Sequence, residues 1–300
     1  MTPIARDRRP IPELLTRVAL ATGVGYAAAA YSISRWLTRP SPRKPQALPK
    51  DFGLPFEVVR CRTADGVRLT GWVIEPPQAR ATVALFHGMR GNRERMLDRV
   101  PYLYGAGYRC VLFDLRAHGE SSGKRTSFGY YERRDVEAVA RFIEGGWSHQ
   151  PRAAIGTSMG AAALCYAARH AVPWNAVVLE SCYQDIRLAF KSRLQHGLPS
   201  WYKRLSRGVI WITERRLGLR LFQLAPIERI DDFGHTPIFI LTGGADLHAT
   251  VSEARELFNR CRGPKRLWVV PNAGHRDIVE KAGQSYGQRV LDYLNEYLAA

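Results

Sequence analysis

From residue 56 onward, short apolar runs alternate with segments of helical spacing, and that alternation narrows the fold before any motif is considered. The strand-like runs are FEVVRC (56–61), VRLTGWVIE (67–75), ATVALF (81–86), YRCVLFD (108–114), RAAIGT (152–157), WNAVVLE (174–180), PIFILTG (237–243) and KRLWVVP (265–271). Helical patterns lie between and after them at 92–104, 129–144, 159–170, 251–262 and 277–299. Parallel strands need long crossovers, and a crossover helix buries its apolar stripe on the sheet. The sequence therefore predicts an α/β fold with a mostly parallel central sheet and helices on both faces. Asp65-Gly66, between the first two runs, signals a hairpin and so an antiparallel edge. Between 186 and 225 the alternation gives way to a basic, aromatic, helix-like insertion.

Charge sets the next limit. The 300 residues carry a formal net charge of +17, which suggests nucleic acid or an anionic membrane as a partner. The charge is not spread evenly. Residues 1–50 hold nine basic and two acidic side chains, and residues 186–225 hold nine and one, which leaves about +2 for everything else. A phosphate-gripping domain distributes its basic residues over a face, and no zinc-finger, helix-turn-helix or RNA-binding motif is present. The charge pattern points away from nucleic acid and towards an anionic membrane surface. Five scattered cysteines without a C-x-x-C pair read as small buried hydrophobes, not as a disulfide framework or metal site.

The N-terminal region divides into a basic segment (1–17), an apolar helix (18–37) and a Pro-rich linker (38–50), with the folded domain expected over 51–300. Val18 to Ser34 carries no charge, and with Trp36 and Leu37 the run approaches the length that crosses a bilayer. The reading is a transmembrane or signal-anchor helix. A cleaved signal peptide and an Ala-rich helix lying on protein or membrane stand beside it. Basic residues flank both ends, so the topology is not fixed. The expected location is a membrane, single-pass or peripheral.

Gly156-Thr157-Ser158-Met159-Gly160 matches G-x-S-x-G between a strand and an Ala-rich helix. That context presents a serine on a sharp turn above the sheet. Asp246 follows the strand PIFIL, and His275 follows RLWVVP, each in a loop where ligands of parallel sheets gather. Nucleophile, acid and histidine in this chain order make Ser158, Asp246 and His275 the expected catalytic triad. The serine needs a base to take its proton, and the base needs a carboxylate to orient it. Backbone N–H groups of Met159 and of Met89, in the loop after ATVALF, are the expected oxyanion donors. His87 reads as ordering that loop, His118 and His248 as structural, and Glu180 as the alternative acid.

The segments FHGMRGN, DLRAHGESSG, GTSMG, GGAD and NAGH, in that order, resemble the α/β-hydrolase superfamily over residues 55–300. The branch with serine aminopeptidase-like and Bem46-type members looks most similar, although Ala117 stands where that branch usually has glycine. The acid loop, Asp246-Leu247-His248-Ala249, lacks the frequent proline. The resemblance implies an α/β-hydrolase fold, with 186–225 as a helical cap over the active site. It also implies hydrolysis of an ester, thioester or amide through an acyl-enzyme. Phe190, Trp201 and Trp211 in the cap are the expected substrate-binding residues. The expected activity is a serine esterase, carboxylesterase or lipase-like, acting on a small-molecule or lipid acyl substrate near a membrane. The alternatives are a serine aminopeptidase, a thioesterase and a catalytically idle membrane-tethered scaffold. No cofactor and no metal are implied.

Overall fold

The computed structural model describes residues 11–188 and 200–299. Its strands are β1 (Glu57–Arg62), β2 (Arg68–Ile74), β3 (Ala81–Phe86), β4 (Tyr108–Phe113), β5 (Arg152–Thr157), β6 (Ala176–Glu180), β7 (Ile238–Gly243) and β8 (Lys265–Val270). The described helices are α1 (Ile11–Leu37), α2 (Val100–Gly105), α3 (Arg133–Trp147), α4 (Met159–Ala167), α5 (Ser200–Leu217), α6 (Val251–Arg260), α7 (Ile278–Ala282) and α8 (Gln284–Leu298). Each strand-like run of the sequence forms a strand whose ends fall within two residues of expectation. One sheet results, in the order β1-β2-β4-β3-β5-β6-β7-β8. The hairpin β1–β2 and the pair β2–β4 are antiparallel, and the remaining pairs are parallel. The fold class is that expected.

Strand chemistry explains the sheet order. β3, β4, β6 and β7 are buried at every position, so their side chains on both faces are mostly apolar, and the charged exceptions, Arg109 and Glu180, are hydrogen-bonded. Successive residues then feed opposite cores: Ala84 and Phe86 join one apolar cluster, and Val83 and Leu85 join the other. The first cluster is closed by Val139, Ile143, Leu164 and Leu257, the second by Leu97, Leu103, Tyr286 and Tyr293. Each large side chain so buried is worth about 1.5–3 kcal/mol. The edge strands carry charge instead: β1 reads EVVRCR and β8 begins Lys265-Arg266, which discourages pairing with a further strand. All five cysteines are free thiols, and burial pushes Cys61 and Cys261 up to about 12, beyond ready ionisation.

The described residues divide into two compact units: α1 with α5, and 39–188 with 220–299. In the smaller unit, α1 and α5 are joined by polar contacts. The Gly208 N–H donates to the Tyr26 hydroxyl at 3.0 Å, and Thr213 Oγ1 donates to Ser34 Oγ at 2.9 Å. Arg216 donates to Ser34 Oγ at 2.9 Å and to Thr38 Oγ1 at 3.1 Å. The expectation of a bilayer-crossing helix at 18–37 is corrected here. α1 starts earlier, at Ile11, and among the described residues no helix is long and apolar enough to cross a membrane. Ala, Gly, Thr, Ser and Tyr fill most of the uncharged stretch, and Arg17 and Arg35 lie within the helix.

In the larger unit, the Pro-rich segment is fastened to the loops that follow β3 and β4. The Ser41 N–H donates to Ala117 O at 2.7 Å, and the Gly119 N–H donates to Ser41 O at 3.1 Å. Asn92 Nδ2 donates to Arg43 O at 3.0 Å. These bonds tie residues 41–43 to the loops of this unit, which begins at Arg39.

Candidate active site

β5 ends at Thr157 and α4 begins at Met159, so Ser158 alone turns the chain, with φ 53° and ψ −109°. A non-glycine residue there is strained by about 1–3 kcal/mol and persists only where its surroundings hold it. They do: the Ser158 N–H donates to Glu180 O at 2.8 Å, and Ser158 O accepts from the Ala162 N–H at 3.0 Å. The flanking glycines are required by contact. A Cβ on Gly160 would meet Phe86 O at 2.3 Å, and one on Gly156 would meet Ala161 N at 2.7 Å.

Asp246 lies in the turn between β7 and α6, 4% exposed. Its Oδ1 accepts from the N–H groups of His248 at 2.7 Å and Ala249 at 3.0 Å, so backbone donors close the acid loop that lacks proline. Oδ2 accepts from His275 Nδ1 at 2.8 Å. Burial alone would raise this carboxyl. The hydrogen bond and charge of His275, with the two backbone donors, outweigh it and hold the carboxyl below its ordinary value. Beyond β8, the Gly274 N–H donates to Asp277 Oδ1 at 2.6 Å and shapes the His275 loop. His275 Nε2 accepts from Ser158 Oγ at 2.9 Å. Ser158, His275 and Asp246 thus form one hydrogen-bonded line. With Nδ1–H held by Asp246, Nε2 is the free base facing the serine. His248 meets the His275 ring edge-on, with centroids 5.2 Å apart.

The loop after β3 lies against the serine: a Cβ on Gly88 would sit 3.4 Å from Ser158 Cβ. Met89 follows directly and is half-buried, while Met159 is buried as the first residue of α4. A first-turn N–H has no acceptor within its own helix, so that of Met159 is available to an anion. Two buried histidines fix the loop. His87 Nδ1 donates to Gly88 O at 2.8 Å, and Nε2 accepts from the Leu115 N–H at 3.0 Å. His118 Nδ1 donates to Arg116 O at 2.8 Å, and Nε2 accepts from the Arg90 N–H at 3.1 Å. Each imidazole must stay neutral to accept. Burial above all, with the nearby charge of Arg93 adding to it, pushes His87 down to about 3.

Glu180, the alternative acid, is committed elsewhere. Fully buried, it accepts from Arg99 Nε at 3.1 Å, from Thr157 Oγ1 at 2.6 Å and from the Tyr286 hydroxyl. Burial raises its carboxyl, but the adjacent Arg99 charge and these donors leave it lowered. Sequence reasoning missed Arg99, Tyr286 and the pair Arg93–Asp114, also buried. Their partners lie far apart in sequence, and only Asp114, inside the DLRAHGESSG motif, carried a signal. Asp277, two residues after His275, was legible as a loop-closing acid and was likewise passed over.

Of the expected cap residues, Phe190 lies outside the described residues. Trp201 sits in the first turn of α5, but its side chain also lies outside them. Trp211 is on α5, 55% exposed, with the Arg215 guanidinium 5.1 Å from its ring centroid. Among the described residues no group of three His, Cys, Asp or Glu is arranged to hold a metal ion.

Comparison with known proteins agrees with the resemblance drawn from the motifs. The family model described as serine aminopeptidase, S33, matches residues 77–216. An uncharacterized protein of Mycobacterium tuberculosis is 30% identical over 240 residues, covering 78% of this chain and 77% of that one. Protein bem46 of Schizosaccharomyces pombe is 23% identical, covering 83% and 79%. Among solved structures, the Pyrococcus furiosus esterase Pf2001 superposes with a TM-score of 0.73 at 24% identity, covering 87% of this chain and 98% of that one.

Proposed function

Because the chain belongs to the serine aminopeptidase (S33) family of α/β hydrolases, we propose that it is a serine esterase, carboxylesterase or lipase-like, with Ser158, His275 and Asp246 as its triad. One observation carries this function: the continuous hydrogen bonding from Ser158 Oγ through both nitrogens of His275 to Asp246.

In the reaction, Ser158 Oγ attacks the ester carbonyl carbon while its proton passes to His275 Nε2. The carbonyl oxygen becomes an oxyanion and accepts from the N–H groups of Met159 and Met89. Collapse breaks the bond to the alcohol oxygen, which leaves with the proton from His275, and Ser158 keeps the acyl group. Water then repeats the sequence, giving its proton to His275 and releasing the carboxylic acid. Asp246 stabilises the imidazolium at both stages. An aminopeptidase needs a carboxylate to anchor the substrate amine, and residues 186–225 hold a single acid, Glu214. That composition favours a neutral acyl ester, and the basic charge around it favours esters met at a membrane surface.

The test is fluorophosphonate labelling of the wild type and of Ser158→Ala, followed by hydrolysis of aryl esters and of aminoacyl anilides. Labelling should occur in the wild type only, and ester hydrolysis should fall by about 10⁴-fold or more in the variant. Labelling that survives the substitution overturns the assignment. Anilides cleaved faster than esters overturn the esterase in favour of the aminopeptidase.

A further inference from the structure

The smaller unit carries an inference of its own. α1 is exposed at every position from 15 to 29, roughly 22 Å of helix, and no charged residue occurs between Val18 and Ser34. Leu15, Val18, Leu20 and Val24 are more than half exposed, with Leu20 at 69%. A water-facing helix normally places charge on its outer face and buries its apolar stripe, whereas this one turns apolar residues outward. Ala-rich helices standing in water are marginal unless something covers them. Gly23 and Gly25 weaken the helix further, and nothing lies within 4 Å of either Cβ position, so no contact within the described residues accounts for them. On α5, Ile210 and Trp211 are also exposed.

Charge identifies the occupant. α1 and α5 together hold seven basic residues against two acidic, Glu13 and Glu214. Arg17 and Arg35 bracket the uncharged stretch, and Arg207 and Arg215 stand exposed on α5. An apolar surface rimmed by guanidinium groups suits a layer that is apolar inside and phosphate-bearing at its edge. We propose that α1 and α5 form a docking unit for an anionic phospholipid surface, with α1 lying in the headgroup–acyl boundary and the arginines at the phosphates. This deepens the proposed reaction by naming where its esters are met, but binding does not depend on catalysis.

The experiment uses the full chain carrying Ser158→Ala, so that failure of the hydrolase assignment cannot affect the readout. Co-flotation is measured with phosphatidylcholine vesicles, with and without about one-third phosphatidylglycerol. Binding should require the anionic lipid and weaken several-fold as salt rises from 0.1 to about 0.5 M. Leu20→Asp/Val24→Asp should weaken it more than about tenfold, because two charges enter the apolar boundary. Val58→Asp, on the exposed edge strand β1, should leave binding and thermal stability unchanged. Three results overturn the proposal: no binding to the anionic vesicles, equal binding to both vesicle types, or equal binding by the double variant. A dimer in gel filtration that Leu20→Asp/Val24→Asp dissociates also overturns it, because a second copy would then cover α1.

Discussion

Two carboxylates in this protein are each held by a basic side chain, and they are used in opposite ways. Asp246 meets His275, whose side chain is 17% exposed and whose far nitrogen faces Ser158. Glu180 meets Arg99 in a closed compartment, with Thr157 and Tyr286 completing its shell. Arg99 cannot release its proton: burial opposes its charge, but the Glu180 carboxylate holds it well above its ordinary value. The first pair can pass a proton and the second cannot. The difference lies in the partner base and in what surrounds it, not in the carboxylate. Glu180 also spans three elements, since Thr157 precedes Ser158, Arg99 follows the Met89 loop and Tyr286 follows the His275 loop. In the proposed reaction one pair moves the proton while the other keeps the surrounding elements in register.

The comparison predicts different failures. Asp246→Asn should lower kcat by about 10⁴-fold, because the amide favours the wrong imidazole tautomer, while the urea midpoint barely moves. A drop of less than about tenfold would place the acid elsewhere. Glu180→Ala should instead cost about 3–5 kcal/mol of stability, since it strands the Arg99 charge in the interior. Adding Arg99→Met should restore much of that loss, and a double variant no more stable than the single one would break the contrast.

A smaller effect concerns pH. The unfolded chain protonates His87 near 6.5, whereas the folded protein resists protonation down to about 3. Between those values the unfolded state binds the extra proton. The His87 contribution is therefore complete above pH 6.5 and is lost as pH falls, by about 1.4 kcal/mol per unit. Urea unfolding at pH 7.5 and 5 should show a steeper decline for the wild type than for His87→Asn. Parallel declines would mean that His87 is not held neutral by the fold.

The strands were legible because central strands of a parallel sheet are continuous apolar runs, and the hydrogen-bonded line of Ser158, His275 and Asp246 was legible because its three residues sit in the turns and loops that follow such runs. What the sequence concealed has physical causes. The helical pattern at 277–299 reads as one helix, but Gly283, at φ 53°, divides it into α7 and α8. Ala117 looks like a harmless replacement for glycine, yet it occupies φ 61°, where an L side chain is strained. α1 starts before the uncharged stretch because apolarity does not mark a helix boundary, and a helix also accommodates Glu13 and Arg17. Arg99 and Glu180 are 81 positions apart, and charged residues at that distance give no local sign that they will be buried together.

Tyr286 lies in α8, the last of the described helices, and its hydroxyl supplies one of the donors that saturate Glu180. The compartment beside Ser158 is thus finished by a helix whose tyrosine lies 106 positions beyond Glu180 in the sequence. Until α8 docks, Glu180 lacks a donor and the core lacks Tyr293 and Leu294. A chain lacking α8 could build the sheet and still be incomplete at its centre, so the docking of that one helix reports on the integrity of the whole domain.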